Sequence, residues 1–329
     1  MRKRTGFVLF IFAATGCIWL NNTSALSNRP AGAPAVLAHR GLAQDYVREA
    51  MTGETCTANR MLPPRHSFLE NTIPSMEAAF GLGADALELD VHPTTDGKFA
   101  VFHDWTLDCR TDGTGKTRDH TLAELKVLDV GYGYTADGGK TFPFRGKGVG
   151  MMPSLDEVLS RFPDRRFNIN VKSNDPKEGS MLAARLATLA PNQRALLAVY
   201  GGDKPIAAVR VALPETRTLS RASLTRCLSR YAALGWSGYV PRDCRQAPLL
   251  IPINIAQWMW GWPNRFLDRM DAVGSSVHLL GPYAGGGFSQ GFDDAALIQQ
   301  LPDGYSGGIS TDAVDVVMPM IKRRFTSSM

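Results

Sequence analysis

The chain has 329 residues, 44% of them hydrophobic, enough for a large buried core and for one domain of barrel size. The formal net charge is +5, but Arg2, Lys3 and Arg4 supply three of those charges ahead of an apolar run. No basic block remains that would suggest nucleic acid, so the charge balance says little about partners.

In chain order, residues 1–25 read as a signal peptide or an N-terminal anchor. "MRKR" is a positive start, "GFVLFIFAATGCIWL" an apolar stretch and "NNTSA" a polar end with small residues. The apolar stretch is shorter than the roughly 20 residues of a membrane span. Export to a periplasmic or extracellular location is the expectation, with the leader cleaved or kept as an anchor. Residues 26–34, with "SNRPAGAP", read as a linker. From 35 to 329, apolar runs alternate with helical patterns as one domain. The runs are 35–39, 86–91, 167–172, 195–200, 217–220, 250–255, 276–280 and 307–311. Helical patterns lie between them, among them "IPSMEAAFGL", "SLDEVLSRF", "MLAARLATL", "LTRCLSRYAAL" and the closing "VDVVMPMIKRRF". Strand–helix alternation implies parallel strands with crossover helices. Eight runs at this length predict an α/β fold of the (β/α)8 TIM-barrel type. Beyond Cys17 in the leader, Cys56, Cys109, Cys227 and Cys244 form an even set with three possible pairings, consistent with an oxidising compartment.

Barrel chemistry collects at the C-terminal ends of strands. His39 ends the first run, Glu88 and Asp90 the second, Asn170 and Lys172 the third, and Thr311 and Asp312 the last. Leu87, Leu89 and Val91 alternate with Glu88 and Asp90, so the acids face inward, where they need a cation or hydrogen-bond donors. After them "TDGK" predicts a two-residue hairpin turn centred on Asp96 and Gly97. Folding there sets Thr95 opposite Lys98 and Asp90 opposite His103, a β-hairpin insertion that returns a histidine to the acids. A one-residue slip would reverse the faces.

At these residues the chain resembles the glycerophosphodiester phosphodiesterase family. The resemblance rests on "AHRG" (38–41), "ENTIPSMEAAFGLGAD" (70–85), "ELDVHPTTDG" (88–97), "VFHD" (101–104) and "GGISTD" (307–312), in the family's order. It implies a PLC-like phosphodiesterase barrel with a β-hairpin insertion after the second strand. It also implies hydrolysis of a small-molecule glycerophosphodiester to glycerol 3-phosphate and an alcohol, with a divalent cation. His39 and His103 match the acid–base pair, Arg40 the phosphate contact, Glu88 and Asp90 the metal ligands, and Glu70 an acid at or beside the metal. One position departs: where the family has a glutamate before a lysine, this chain has Asn170 before Lys172. An asparagine still offers a carbonyl oxygen to Mg²⁺ or Ca²⁺, with one negative charge fewer. Lys172 adds a point charge for the phosphate. With the barrel as frame, Cys56 and Cys109 fall in loops at the same mouth and are the expected pair, leaving Cys227 with Cys244. Three readings compete: a lysophospholipase D-like enzyme on the same site, a catalytically weak binding protein because of Asn170, and a glycosidase using Glu70 and Glu88 without metal.

Overall fold

A computed structural model of the chain describes residues 2–52, 55–285 and 290–326, without the side chains of 2–11 and 326. Nine strands form one sheet: β1 Ala35–His39, β2 Ala86–Pro93, β3 Phe99–Val101, β4 Arg166–Val171, β5 Leu197–Gly201, β6 Arg217–Ser220, β7 Pro248–Pro252, β8 Ser276–Leu280 and β9 Gly308–Thr311. Eight of them run in the order β6-β5-β4-β2-β1-β9-β8-β7, parallel throughout, and β3 pairs antiparallel with β2. This is the expected (β/α)8 barrel with one qualification. The two end strands of the order, β6 and β7, are not paired in a ladder, so the wall has a seam.

The helices are α1 Arg2–Asn22, α2 Ile73–Leu82, α3 Leu122–Lys126, α4 Leu155–Arg161, α5 Pro176–Ala187, α6 Pro191–Arg194, α7 Asp203–Ala212, α8 Arg221–Leu234, α9 Ile253–Ala256, α10 Asn264–Asp271, α11 Ala295–Gln299 and α12 Val314–Ile321. Their starts follow local chemistry. The Thr72 hydroxyl accepts from Ser75 N at the head of α2, and Ser154 with Glu157 makes a reciprocal cap on α4. The run expected as a strand over 250–255 breaks at Pro252, and 253–256 turns into α9. No helix among the described residues is long and apolar enough to cross a membrane. The stretch expected as a linker is tied down by Arg29, whose Nε donates to Ser306 Oγ at 2.8 Å and whose guanidinium pairs with Asp271.

The main core fills the space between barrel wall and helices, from Leu87, Leu89 and Val91 of β2 to Ile309 of β9. A second core sits over the barrel mouth, built from Ala58, Met61 and Leu69 on one side and Phe102, Leu107, Tyr134 and Phe144 on the other. The Cys56–Cys109 disulfide staples these two segments, and Cys227 pairs with Cys244, both as expected.

The hairpin register differs from expectation. Val91 pairs with Val101, His92 with Ala100 and Pro93 with Phe99. Thr94 N bonds Lys98 O at 2.9 Å, so three residues rather than two make the loop, with Gly97 at φ 74°. That is a turn followed by a glycine in the left-handed region, the usual three-residue hairpin. The expected pairs Asp90–His103 and Thr95–Lys98 are therefore absent. Asp90 O instead accepts from Phe102 N at 3.0 Å. The strand ends at Val101 and the chain turns, and that turn brings His103 back to the acids.

Candidate active site

The first strand delivers His39, and the turn after it is unusual. Arg40 has φ 61° and Gly41 φ 82°. A Cβ on Gly41 would stand 2.6 Å from Ser75 Oγ, so glycine lets the turn press against the start of α2. Asn71, also at positive φ, donates its backbone N–H to Arg40 O at 2.9 Å. The "HRG" and "ENT" segments thus lock to each other, and the lock aims Arg40 at the acids of β2. Glu70 Oε1 receives Arg40 Nη1 at 3.0 Å, and its Oε2 pairs with Arg110 Nη1 at 3.1 Å.

Asp90 is fully buried and ringed by donors. Asn71 Nδ2 donates to it at 3.1 Å and Asn170 Nδ2 at 2.9 Å. Lys172 Nζ lies at 3.5 Å and Arg40 Nε at 3.2 Å, the latter an ion pair without hydrogen-bond alignment. Burial opposes its charge, but Lys172 and Arg40 outweigh burial and hold the carboxyl far below the usual range. Glu88 shares the face and has fewer partners. Tyr200 donates to Oε1 at 2.5 Å, while the buried Oε2 has no hydrogen bond. Burial and the neighbouring Asp90 push Glu88 up to about 7. An orphaned oxygen on a buried acid beside a second acid is a place that a cation would complete. Among the described residues, no three His, Cys, Asp or Glu side chains already stand in a metal-ligand group.

Each histidine is oriented by its own carboxylate. His39 Nδ1 pairs with Asp312 Oδ1, and its Nε2 faces Glu88 Oε2 at 3.7 Å. Burial and Arg40 pull this imidazole down, but Asp312 and Glu88 prevail and hold it at about 9. His103 Nδ1 pairs with Asp104 Oδ1 at 2.7 Å. Burial and Arg40 lower it to about 4, against the pull of Asp90 and Asp104. Both carboxylates are themselves held. Tyr46 donates to Asp312 Oδ2 at 3.1 Å, and Arg110 Nε donates to Asp104 Oδ2 at 3.1 Å.

A cavity of about 570 Å³ joins these groups: His39, Arg40, Glu88, His103, Asn170 and Lys172 all line it. Asp90 lies beneath its floor, and Glu70 stands behind Arg40 rather than in the cavity wall. Both Glu70 oxygens are occupied by guanidinium groups, and although burial works against it, Arg110 and Arg40 keep its carboxyl below the ordinary range. With both oxygens engaged and no place in the cavity wall, Glu70 does not face Glu88 across a substrate as a glycosidase's second carboxylate must. Sequence reasoning assigned no role to Asp104, Arg110, Tyr46, Tyr200 or Asn71. Asp104 and Asn71 lie within the quoted motifs, whereas Arg110, Tyr46 and Tyr200 reach the site only through loop folding and strand parity.

Residues 39–194 match the glycerophosphoryl diester phosphodiesterase family. Those residues resemble that family and make up a little under half of the chain. A glycerophosphodiester phosphodiesterase of Bacillus subtilis is 38% identical over 142 residues, which is 40% of this chain. The chain spans about half of that relative's length, 47%. Solved structures share the fold along nearly the whole chain. A glycerophosphodiester phosphodiesterase of Agrobacterium tumefaciens aligns with TM-score 0.55 and 23% identity, over 87% of this chain and 99% of that one. An Oleispira antarctica phosphodiesterase, solved with the product sn-glycerol-3-phosphate, aligns with TM-score 0.54 and 20% identity, over 88% of this chain and 97% of that one.

Proposed function

We propose that this chain hydrolyses glycerophosphodiesters to glycerol 3-phosphate and an alcohol. The observation that carries the reading is a pair of imidazoles, each held at Nδ1 by a carboxylate, facing one cavity with Arg40 and Lys172 in its wall. The activity named for the Bacillus subtilis relative and the product held by the Oleispira antarctica protein support it.

Arg40 is braced from behind by Glu70 and offers its fork to the phosphodiester anion, with Lys172 as a second charge. His103, neutral at working pH, takes the proton of the attacking oxygen. His39, protonated and aligned by Asp312, gives its proton to the departing alcohol. Two groups pushed to opposite sides of neutrality are suited to these two roles. The assignment holds whether the attacking oxygen is the substrate's own glycerol hydroxyl or water.

The site also fits a divalent cation, Mg²⁺ or Ca²⁺. Glu88 with its orphaned oxygen, Asp90 and the Asn170 amide oxygen form an all-oxygen set of the kind these ions take. When bound, the ion supplies positive charge to polarise a phosphoryl oxygen. Glu70 serves Arg40 in this reading rather than the ion. The two disulfides favour export to an oxidising compartment.

Turnover of glycerophosphocholine, measured before and after chelation with EDTA, tests the reading. Release of glycerol 3-phosphate that EDTA abolishes and Mg²⁺ or Ca²⁺ restores is the expected result. Absence of release with either ion would overturn the proposed activity, and EDTA-resistant release would overturn the cation.

A further inference from the structure

Beneath the catalytic cavity the barrel interior changes character. A strand residue two positions before a cavity-lining one shares its face and lies about 6–7 Å deeper, toward the N-terminal mouth. Below Leu37, Glu88, Tyr200, Leu250 and Ser310 these residues are Ala35, Ala86, Ala198, Pro248 and Gly308. Branched apolar side chains normally fill such positions. Below Asn170, Leu219 and Leu280 they are Asn168, Arg217 and His278, and Arg166 follows two residues beneath Asn168. Phe167, Ile169, Val277 and Leu279 pack in the main core, so the alternating polar side chains point toward the barrel axis. Asn168 is 7% exposed and its Nδ2 has no acceptor. The His278 ring lies over Gly308, where a Cβ would stand 2.3 Å from Cδ2, and its Nδ1 is buried without a partner. Burial, then Arg217 and Arg166, push this imidazole down to about 4. Burial and Arg166 also lower Arg217, and no carboxylate works against them. Positive charge and orphaned polar atoms with no acid among them are what a bound anion completes.

We propose that the N-terminal mouth of the barrel holds a phosphate-class oxyanion, gripped by Arg166 and Arg217 and capped from above by Asn168 Nδ2 and the Nδ1–H of His278. Two guanidinium forks and two neutral donors suit the oxygens of a tetrahedral dianion. Arg166 is exposed and Arg217 half-buried, so the anion enters from solvent at this end. The site stands at the opposite end of the strands from His39, Arg40 and Lys172 and is independent of the proposed reaction. Its role is to neutralise two like charges at the barrel mouth, so the fold gains stability when the anion is present. Two sources share the chemistry: free inorganic phosphate, and a phosphomonoester whose ester group stays in the mouth.

The experiment titrates the EDTA-treated protein at low ionic strength with inorganic phosphate and, separately, with glycerol 3-phosphate, following heat of binding and Tm. Arg217→Met removes one fork and with it the repulsion from Arg166. Its Tm without phosphate should therefore match or exceed that of the wild type, whereas added phosphate should raise the wild type more than the variant. In the calorimeter one binding event should weaken about tenfold or more in Arg217→Met. Phosphate held at the catalytic groups is untouched by this change, so titrations that the variant leaves unaltered in both arms overturn the site, as does the absence of any binding. A variant-sensitive response with inorganic phosphate, or with glycerol 3-phosphate alone, sustains it and names the source. Where Arg217→Met proves too unstable to titrate, Arg166→Met at the exposed mouth decides by the same criterion.

Discussion

Arg110 is expected to be the residue outside the cavity whose loss does most damage. It is 2% exposed and holds two acids at once, Glu70 Oε2 at 3.1 Å and Asp104 Oδ2 at 3.1 Å. It also donates to Thr57 Oγ1 at 2.9 Å and to the Tyr134 hydroxyl. Arg110→Met keeps the length and removes the charge, leaving Asp104 with His103 and Glu70 with Arg40 alone. Removing one partner from a buried ion pair costs about 3–5 kcal/mol, because the other charge stays buried. Two acids share the loss here, and each retains a second partner, so the middle of that range is the expectation. Urea denaturation of the EDTA-treated protein should show it, together with a fall in Tm of roughly 10 °C. The same change frees the carboxylates that orient His103 and Arg40, so turnover should fall about tenfold or more at a temperature where the variant is fully folded. Arg110→Lys restores charge without the fork and should recover part of the stability but little of the activity. A loss below 1 kcal/mol with full turnover would show that the Glu70–Arg110–Asp104 network neither supports the second core nor aligns the site.

His39→Ala and His103→Ala should each lower kcat by about 10²-fold or more without unfolding the chain, and near-full turnover in either removes that histidine from its role. Asn170→Asp adds a charge beside Asp90 and should tighten Mg²⁺ or Ca²⁺ binding in calorimetric titration, whereas Asn170→Leu should weaken it; equal affinities would reject Asn170 as a ligand. Loop closure over separations of 53 and 17 residues predicts that losing Cys56–Cys109 costs about 4 kcal/mol and losing Cys227–Cys244 about 3 kcal/mol, and the reverse order in paired Cys→Ser variants would contradict it. His39 is raised from 6.5 to about 9 in the folded chain, so its ion pair with Asp312 contributes fully below pH 6.5 and is lost as pH rises through 9. In EDTA, Asp312→Asn should flatten the alkaline fall in stability between those limits; an unchanged fall would assign it to another group.

The polar half of the site was legible because strand parity and turn chemistry are local. Leu87, Leu89 and Val91 face the helices and Glu88 and Asp90 the interior, as alternation requires. The hairpin was legible in kind but not in register. Asp96-Gly97 marks a turn in two-residue and three-residue loops alike, and only the Thr94–Lys98 bond decides between them. His103 reached the acids all the same, because the return strand is three residues long and the chain is free to turn after it. Arg110 was not legible. It reaches Glu70 and Asp104 through a loop whose path is set by the Cys56–Cys109 staple and the second core, both made of contacts distant in sequence.

The apolar half poses the reverse problem. Leu219, Leu250 and Leu280 occupy inward positions on neighbouring strands of an apolar kind, the pattern of any filled barrel interior. Sequence periodicity reports which way a side chain points but not whether another side chain meets it. A packed core and an apolar cavity therefore read alike along the chain. What separates them here is topology. Because β6 and β7 do not pair, the leucines of α8 and β7 face open space across the seam rather than each other across a closed wall. The same barrel thus carries charge where β1, β2 and β4 meet and hydrocarbon where β6 and β7 part.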